Sequence, residues 1–263
     1  MRLLYPCNPL EKKKPDEAFE EEFLAAQEAG LPCALYSAED FECGEFKPRP
    51  ALTEGEEVLY RGWMLTPEGY NRLYSAVAGK GGRLLTTPEQ YRHCHYLPEW
   101  YPLCIDVTPK TIFLERDADF PQALSALGWR AYFVKDYVKS LTTSRGSVAK
   151  NAEEVKEIVG LIEKYRGQVE GGVCVREFEE LRPETEERFF VFKKQAYARD
   201  RVVPEIVTEI AGRIDSPFFS VDIVLGVNGA PRLIELGDGQ VSDRKKWAPD
   251  RFVEILTGRG DKE

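Results

Sequence analysis

The chain has 263 residues, and 43% of them are hydrophobic, which is enough for one large or two modest globular domains with complete cores. Its formal net charge of -9 argues against a general nucleic-acid-binding or anionic-membrane-binding surface, because affinity for phosphates comes largely from cationic side chains. The apolar stretch at the amino terminus is too short for a secretory signal, and no stretch of about 18 apolar residues occurs, so we expect neither export nor a membrane span.

The six cysteines form no CxxC pair and are scattered through apparently regular segments. This distribution is typical of reduced thiols and indicates a cytoplasmic protein. His93, Cys94 and His95 form a cluster of transition-metal ligand types, but a structural zinc site needs further ligands, and the sequence has no second cluster. We therefore do not expect a zinc site.

The first predicted elements form a βαβ unit. A strand over residues 2–7 is followed by Asp16, a typical N-cap residue, and by a helical pattern over residues 17–30. Residues 31–37 then predict a second strand. Strands that alternate with helices in this way indicate a small parallel sheet.

Two further helices are predicted in the same part of the chain. One begins at Thr66, which is followed by proline at the first helical position. The other begins at Thr87, where the residues TPEQ form a capping box with Gln90.

The pattern changes after the proline-rich connection at residues 97–109. Beyond it, long strands joined by hairpins predict an antiparallel arrangement, and Asn151 with Glu154 caps a helix. The predicted strands are residues 111–117, 130–135, 173–178, 186–198, 218–227 and 231–236. We therefore expect two domains, residues 1–105 and residues 106–263.

The segment FFSVDIVLGVNGAPRLIEL predicts a hairpin with one acid in each strand. Asn228-Gly229 between two apolar runs is a strong signal for a two-residue turn, since both residues tolerate positive φ. That turn would place Asp222 opposite Glu235, where like charges repel. A divalent cation bridging both acids to phosphate oxygens would explain the pair; an ion pair for one acid and protonation of the other is the alternative. A bulge or a longer loop would shift this register.

The segment FVKDYVKS ends an apolar strand with two lysines, Lys135 and Lys139. Their ammonium groups either extend to water or meet a polyanion, because unpaired charge at the rim of a core is costly. The following segment, residues 140–147, is rich in hydroxyl groups and contains Ser144 and Arg145. It offers donors to phosphates, although ordinary surface loops share this composition.

Two arginines stand within apolar strand patterns, Arg176 and Arg188. The guanidinium fork suits carboxylates and phosphates. An ion pair with Glu177, Glu179 or Glu187 is an equally simple explanation, and the sequence leaves both open.

The order of these features resembles the nucleotide-binding half of the ATP-grasp superfamily. A closer resemblance is to the R2K clade, family 3, formerly an uncharacterised domain family. The similar motifs are YPCNP at 5–9, YRGWML at 60–65, TPEQY at 87–91, KDYVKS at 135–140 and ELGDGQVS at 235–242. The resemblance extends over nearly the whole chain. It implies a mixed α/β and α+β fold, in which a small N-terminal βαβ pre-ATP-grasp domain precedes two α+β lobes that enclose ATP.

The resemblance also implies a role for each candidate residue. In ATP-grasp enzymes a strand lysine holds the phosphates, a mobile loop covers them, a linker strand contacts adenine and ribose, and paired acids hold magnesium. The nucleotide-binding residues would be Lys135, Lys139, Ser144, Arg145, Glu177, Phe178 and Glu179, and the magnesium ligands Asp222, Glu235 and Asp238. The catalytic residues would be Arg176, Arg188 and Lys139.

One departure from the superfamily concerns the metal site. Most members have asparagine two places after the final glutamate, whereas this chain has Gly237 followed by Asp238, so Asp238 would replace that ligand. The covering loop also has fewer glycines than usual, and Lys110 is a candidate for the earlier phosphate-binding lysine.

The implied function is an ATP- and Mg²⁺-dependent carboxylate–amine ligase, which forms an amide or peptide-like bond through an acylphosphate. Its substrates would be a small-molecule or peptide carboxylate and an amine, and a homodimer stays open. Such chemistry requires no nucleophilic side chain, in agreement with the lack of a Ser/His/Asp signature. A small-molecule kinase on the same fold and a non-catalytic nucleotide-binding module are the alternatives.

Overall fold

The computed structural model of the chain describes residues 1–141 and 143–258. These residues form two compact units, each assembled from separate segments. Unit 1 contains residues 1–94, 188–221 and those from 237 onward, and unit 2 contains residues 95–187 and 222–236. Each unit contains segments from both predicted domains, 1–105 and 106–263. The two domains therefore stay a prediction about functional organisation.

Unit 1 contains a four-stranded parallel sheet. Its strands are β1 (Arg2–Pro6), β2 (Cys33–Tyr36), β3 (Glu56–Tyr60) and β4 (Gly82–Leu84), in the order β2-β1-β3-β4. The predicted βαβ unit and the parallel sheet are therefore confirmed, and β3 and β4 extend them.

Helices of this part of the chain begin where their capping residues predict. They are α1 (Glu20–Glu28), α2 (Ala38–Glu42), α3 (Pro67–Ala78) and α4 (Pro88–His95). Thr66 caps α3, and Thr87 and Gln90 exchange the two bonds of a capping box. Asp16 instead caps a short 3-10 turn, Glu17–Phe19, which leads into α1.

Apolar side chains cover both faces of the parallel sheet, as is usual for parallel strands. One face contributes Leu3, Tyr5 and Leu59 to a core with Phe190 and Phe252. The opposite face contributes Leu4, Val58 and Tyr60 to a second core with Tyr70 and Leu73.

A buried ion pair lies beside the first of these cores. Arg61 donates from Nη2 to Glu22 over 2.7 Å and stacks on Phe252, with 4.6 Å from its Cζ to the ring centroid. Its Nη1 donates to the carbonyl oxygens of Gly239 and Ser242 over 2.6 and 3.0 Å. The YRGWML motif therefore fixes the segment that follows the last strand.

Unit 2 contains an antiparallel sheet, as predicted for this half of the chain. Its strands are β5 (Thr111–Leu114), β6 (Tyr132–Asp136), β7 (Val148–Ala149) and β8 (Val173–Glu177), in the order β5-β8-β6-β7. The helices are α5 (Leu97–Trp100), α6 (Phe120–Leu124) and α7 (Ala152–Arg166). Asn151 caps α7 by accepting from Glu154 N over 2.9 Å. Val134 and Val175 of the sheet pack in one core with Ile158 of α7.

A third sheet has the order β10-β9-β11-β12. Its strands are β9 (Leu181–Phe192), β10 (Gln195–Tyr197), β11 (Phe218–Gly226) and β12 (Pro231–Asp238). The division between the two units falls within β9, β11 and β12. The remaining helices are α8 (Glu205–Arg213) and α9 (Pro249–Leu256). Among the described residues, no helix is both long and apolar enough to span a membrane.

Candidate functional site

A cavity of about 550 Å³ lies within unit 2. Its lining comes from the antiparallel sheet, from residues 177–180 at and after the end of β8, and from the β11–β12 hairpin. Phe133 and Val148 of the sheet, with Val224 and Ile234 of the hairpin, supply apolar walls. The cationic side chains in the lining are those of Lys135 and Arg176, so the cavity suits a ligand with an apolar part and an anionic part.

Lys135 is only 5% exposed and reaches the cavity from the end of β6. Its ammonium group donates to the carbonyl oxygen of Val138 over 3.2 Å and to Glu235 Oε1 over 3.3 Å. The buried carboxylate of Asp136 accepts from the N–H groups of Val138 and Lys139 over 2.8 and 2.5 Å. These bonds reverse the chain directly after β6, and they fix the strand end from which Lys135 extends.

The other predicted phosphate-binding residues lie on the following loop. Lys139 and Ser144 are exposed. Arg145 pairs with Glu154 and Glu157, each over 3.3 Å, and therefore fastens the loop to α7. Their contact with phosphate stays a prediction.

The predicted covering loop at residues 140–147 includes Thr142, which lies outside the described residues. Within its described part, Ser140 and Val148 at its edge line the cavity. Ser147 Oγ accepts from Leu141 N over 3.0 Å.

Arg176 is a buried cation at the cavity wall, and only 4% of it is exposed. Its Nη1 donates to the carbonyl oxygen of Ile234 over 2.8 Å, and its Nη2 donates to Thr108 Oγ1 over 2.6 Å. Its Nε has no hydrogen-bond partner, and no carboxylate lies within ion-pair distance in the described ranges 1–141 and 143–258. The ion pair with Glu177 or Glu179 that the sequence left open is therefore not formed.

Burial lowers the pKa of Arg176 to about 10, and the negative charges of Glu235 and Glu179 oppose this shift only in part. The group stays protonated near neutral pH. A buried guanidinium that lines a cavity and has no carboxylate partner among the described residues is a site at which an anionic ligand would be stabilised.

The predicted linker runs along the same cavity. Glu177 pairs with Lys110 over 3.4 Å, so the candidate for an earlier phosphate-binding lysine has a carboxylate partner. Phe178 is 39% exposed. Glu179 accepts from Arg232 with both carboxylate oxygens, over 2.8 and 2.6 Å.

The turn of the acidic hairpin differs from the prediction. Gly226 N–H donates to the carbonyl oxygen of Ala230 over 2.8 Å, and Gly229 N–H donates to that of Gly226 over 2.8 Å. The loop therefore has three residues, 227–229, and Gly229 at φ 83° occupies its left-handed position. The predicted two-residue turn is wrong, because a type I turn with a bulge also places glycine after Asn228.

The other end of the hairpin has a different register. Gly239 N–H donates to the carbonyl oxygen of Phe218 over 3.0 Å. Between this bond and the pairing of Gly226 with Ala230, β12 has one residue more than β11, so β12 contains a bulge. The turn alone therefore does not determine which residue of β12 faces Asp222.

The three predicted metal ligands have different surroundings. Asp222 is buried, and Glu235 lines the cavity. Asp238 is fully buried in unit 1, where its Oδ1 accepts from the backbone and side-chain nitrogens of Gln240, each over 3.0 Å. Burial raises the pKa of Asp238 to about 7. No group of three or more His, Cys, Asp or Glu side chains in the described part of the chain is arranged to hold a metal ion.

Arg188 belongs to unit 1, whereas Arg176 belongs to unit 2. Its Nη1 donates to the carbonyl oxygen and to Oδ1 of Asp243, over 3.1 and 3.2 Å. The structure gives Arg188 an acidic partner that the sequence did not indicate, and its catalytic role stays a prediction.

Sequence reasoning missed Arg232 and Thr108, which contact Glu179 and Arg176. An arginine within the short apolar strand β12 is the same signal that identified Arg176 and could have identified Arg232. No local signal could have identified Thr108, because its contact joins positions far apart in the sequence.

Comparison with solved structures shows an ATP-grasp fold. D-cycloserine synthetase DcsG superposes with a TM-score of 0.63 at 15% identity, covering 98% of this chain and 99% of that chain. The ATP-grasp ligase PsnB, in complex with a minimal precursor, Mg and ADP, has a TM-score of 0.62 at 13% identity, with 99% and 97% covered. D-alanyl-alanine synthetase A from Vibrio cholerae has a TM-score of 0.60 at 12% identity, with 100% and 94% covered. At these identities the likeness concerns the fold alone.

Comparison of sequences identifies the family. None of the curated proteins matches the chain. The family model for the ATP-grasp domain of R2K clade family 3 matches residues 108–256, which is more than half of the chain. The chain therefore belongs to the ATP-grasp domains of R2K clade family 3, the family that its motifs predicted.

Proposed function

We propose that this ATP-dependent bond-forming enzyme is a carboxylate–amine ligase that works with Mg²⁺. The observation that supports an anionic nucleotide most directly is Arg176, a buried guanidinium at the cavity wall without a carboxylate partner in the described residues. Lys135 adds a second buried cation to the same lining. Phosphate oxygens would supply the counter-charge that both groups need.

The proposed reaction has two steps. An oxygen of the substrate carboxylate attacks the γ-phosphorus of ATP, and the bond to the bridging oxygen breaks, giving an acylphosphate and ADP. The nitrogen of the amine then attacks the acyl carbon, inorganic phosphate leaves, and the nitrogen loses a proton to solvent. The protein side chains need only position the reactants and stabilise charge in this scheme.

The residues of the cavity have distinct tasks in this proposal. Lys135 and Arg176 would donate to phosphate oxygens and stabilise the charge that spreads over the transferring group. Glu177 and Phe178 would contact ribose and adenine, beside the apolar walls of the cavity. Lys139, Ser144 and Arg145 would approach the phosphates from the loop, and Arg188 would bind the γ-phosphate or the substrate carboxylate.

Carboxylate oxygens of the hairpin fit a hard divalent cation. Glu235 lines the cavity, and Asp222 lies in the other strand of the hairpin. Asp222 and Glu235 would hold Mg²⁺, which when bound would neutralise phosphate charge, and Asp238 stays the third ligand predicted from the sequence. Glu235, which pairs with Lys135 in this structure, would then contact the metal ion, and Lys135 would contact phosphate.

The solved structures with this fold suggest classes of substrate. PsnB was solved with precursor peptides, and others in the group are a D-cycloserine synthetase and a D-alanyl-alanine synthetase. We propose a small-molecule or peptide carboxylate and an amine as the substrates of this chain.

Product analysis tests the proposal against the alternatives. The protein is incubated with Mg-ATP and panels of carboxylates, with and without amines, and ADP, phosphate and products are quantified. A ligase releases ADP and phosphate in equal amounts and needs the amine for sustained turnover. Release of ADP with a stable phosphorylated product would show a kinase, and nucleotide binding without turnover across the panels would favour a binding module.

Two variants make this assay specific for the cavity. Lys135→Ala should lose turnover. Arg130→Ala removes an exposed arginine of the same unit, 92% exposed at its side chain, and should leave turnover unchanged.

A further inference from the structure

Arg232, near the start of β12, bonds to two separate segments of unit 2. Its Nε donates to Glu179 Oε2 over 2.8 Å, and its Nη2 donates to Glu179 Oε1 over 2.6 Å. Its Nη1 donates to the carbonyl oxygen of Asp106 over 3.3 Å. Bidentate pairs of this kind are among the strongest hydrogen bonds in proteins, and they fix geometry as well as adding energy. The Arg232–Glu179 pair is called the clasp below.

The clasp is the first of several bonds from β12 to other segments of unit 2. Leu233, Ile234 and Glu235 follow Arg232 directly in the strand. Leu233 N–H donates to the carbonyl oxygen of Val107 over 2.9 Å, and the Leu233 carbonyl oxygen accepts from Thr108 Oγ1 over 2.7 Å. The Ile234 carbonyl oxygen accepts from Arg176 over 2.8 Å, and Glu235 accepts from Lys135 over 3.3 Å. Among these bonds, the clasp is the contact that fixes the linker.

The predicted linker residues Glu177, Phe178 and Glu179 line the cavity in one continuous run with the next residue, Glu180, which is counted with the linker from here on. Their backbone leads from β8 of the antiparallel sheet into β9 of the next sheet. Any ligand placed against this run depends on where the linker is held, and Arg232 holds it at Glu179.

We propose that Arg232 and Glu179 position the linker for the nucleotide, so that Glu179 is a positioning residue and does not itself bind ribose. This inference rests on the proposed function, since it assigns the cavity to a nucleotide. Both oxygens of Glu179 already accept from a guanidinium fork. A ribose hydroxyl would have only the remaining lone pairs of these oxygens, and the bidentate bond holds the carboxylate towards Arg232.

The neighbouring ion pair supplies a matched control. Arg130 and Glu180 lie 3.5 Å apart, with 92% and 61% of their side chains exposed. Exposed pairs of this kind contribute little, because water screens them. Arg130→Met therefore removes an arginine partner of the same linker without removing the clasp.

The experiment measures nucleotide affinity, turnover and linker opening in one set of proteins. The variants are Arg232→Met, Arg232→Lys, Glu179→Gln, the double variant Arg232→Met/Glu179→Gln, and Arg130→Met. ATP and 2′-deoxy-ATP are titrated into each, the KM for ATP and kcat are determined, and hydrogen exchange is followed in peptides that contain residues 177–180. Arg232→Lys and Glu179→Gln keep the test valid where Arg232→Met does not fold.

Several results would support a positioning role for the clasp. Arg232→Met and Glu179→Gln each raise the KM and the dissociation constant for ATP about tenfold, a loss typical of coupled residues in contact, with kcat changed less than about twofold. The double variant loses no more than either single variant, and Arg232→Lys lies between Arg232→Met and wild type. Exchange of the linker amides accelerates in the clasp variants, and Arg130→Met behaves as wild type.

Other results would overturn it. A loss for Glu179→Gln that greatly exceeds that of Arg232→Met, and that shrinks with 2′-deoxy-ATP, would show that Glu179 binds ribose directly. Faster linker exchange without a change in ATP affinity would reduce the clasp to a purely structural pair. A wild-type protein that binds no nucleotide would overturn the proposed function itself, and this failure is recognised because it affects wild type and variants alike.

Discussion

Lys135 and Glu235 form an ion pair, with 3.3 Å between Nζ and Oε1. The ammonium group is almost completely buried, whereas a third of the Glu235 side chain is exposed. The sequence suggested a phosphate partner for the lysine and a metal ion for the glutamate, and the structure joins the two residues to each other. A magnesium nucleotide in the cavity would separate them and supply a counter-charge to each.

The first prediction compares the two lysines of the FVKDYVKS segment. Lys135→Ala should weaken ATP binding about 10- to 100-fold, the range for losing a hydrogen bond to a charged group. Lys139→Ala should weaken it less, because Lys139 is exposed on the loop and its position is less fixed. Isothermal titration with Mg-ATP measures both, and equal losses would contradict this division of roles.

A second prediction concerns the two arginines. Arg176→Lys keeps a positive charge but replaces the planar fork, whose two terminal nitrogens reach Ile234 and Thr108, by a single nitrogen. Turnover should therefore fall about 100-fold or more while ATP affinity changes modestly. Arg188→Lys should lose turnover as well if Arg188 binds the γ-phosphate or the substrate carboxylate. Full turnover in Arg188→Lys would contradict a catalytic role for Arg188 and favour a structural role, such as its contacts with Asp243.

The two acids of the hairpin should respond differently to neutralisation. Glu235→Gln leaves the buried ammonium group of Lys135 without its anionic partner, and we expect a loss of about 1–2 kcal/mol in unfolding free energy. The repulsion expected from the sequence alone would instead have predicted a small gain. Asp222→Asn serves as the comparison in the same assay, since Asp222 forms no ion pair with Lys135. Both should abolish Mg-dependent turnover, and full activity in both would contradict the proposed metal site.

The pH dependence of the unfolding free energy should reflect the ionisation of Asp238. Burial raises its pKa from the ordinary 3.8 to about 7. Between these values the folded chain retains a proton that the unfolded chain has released, so this group makes stability fall as the pH rises. The loss over this window is roughly 4–5 kcal/mol, at about 1.4 kcal/mol for each pH unit.

Asp238→Asn should remove this dependence. Urea denaturation with a chelator present, from about pH 4 to about pH 8, should show a flatter stability profile for the variant and higher stability than wild type at the upper end. Asp117→Asn, which changes an exposed acid of unit 2, is the control and should keep the wild-type profile. An unchanged profile in Asp238→Asn would contradict the raised pKa.

Local signals predicted much of the fold. Thr66, Thr87 and Asn151 cap their helices as expected, because a cap depends on residues only three positions away. The predicted hairpin turn was wrong because Asn-Gly is compatible with both a two-residue and a three-residue loop. The choice between these loops depends on the twist of the whole hairpin.

The cavity was less predictable than the elements around it. The positions of Lys135 and Arg176 followed from charged residues in apolar strands, a pattern that is unusual enough to notice. The partners of these residues, such as Thr108 for Arg176, depend on tertiary folding and leave no periodic signal. The same reason explains why the clasp at Arg232 was not expected.

The buried pair of Arg61 and Glu22 limits how the gene can be shortened. The family match begins at residue 108, which invites expression of that region as an isolated catalytic fragment. Such a fragment would lack the guanidinium that binds the carbonyl oxygens of Gly239 and Ser242. It would also expose the face of Phe252 on which Arg61 stacks. Expression of the fragment should therefore yield insoluble protein, and supplying residues 1–107 as a separate polypeptide should restore solubility by complementation.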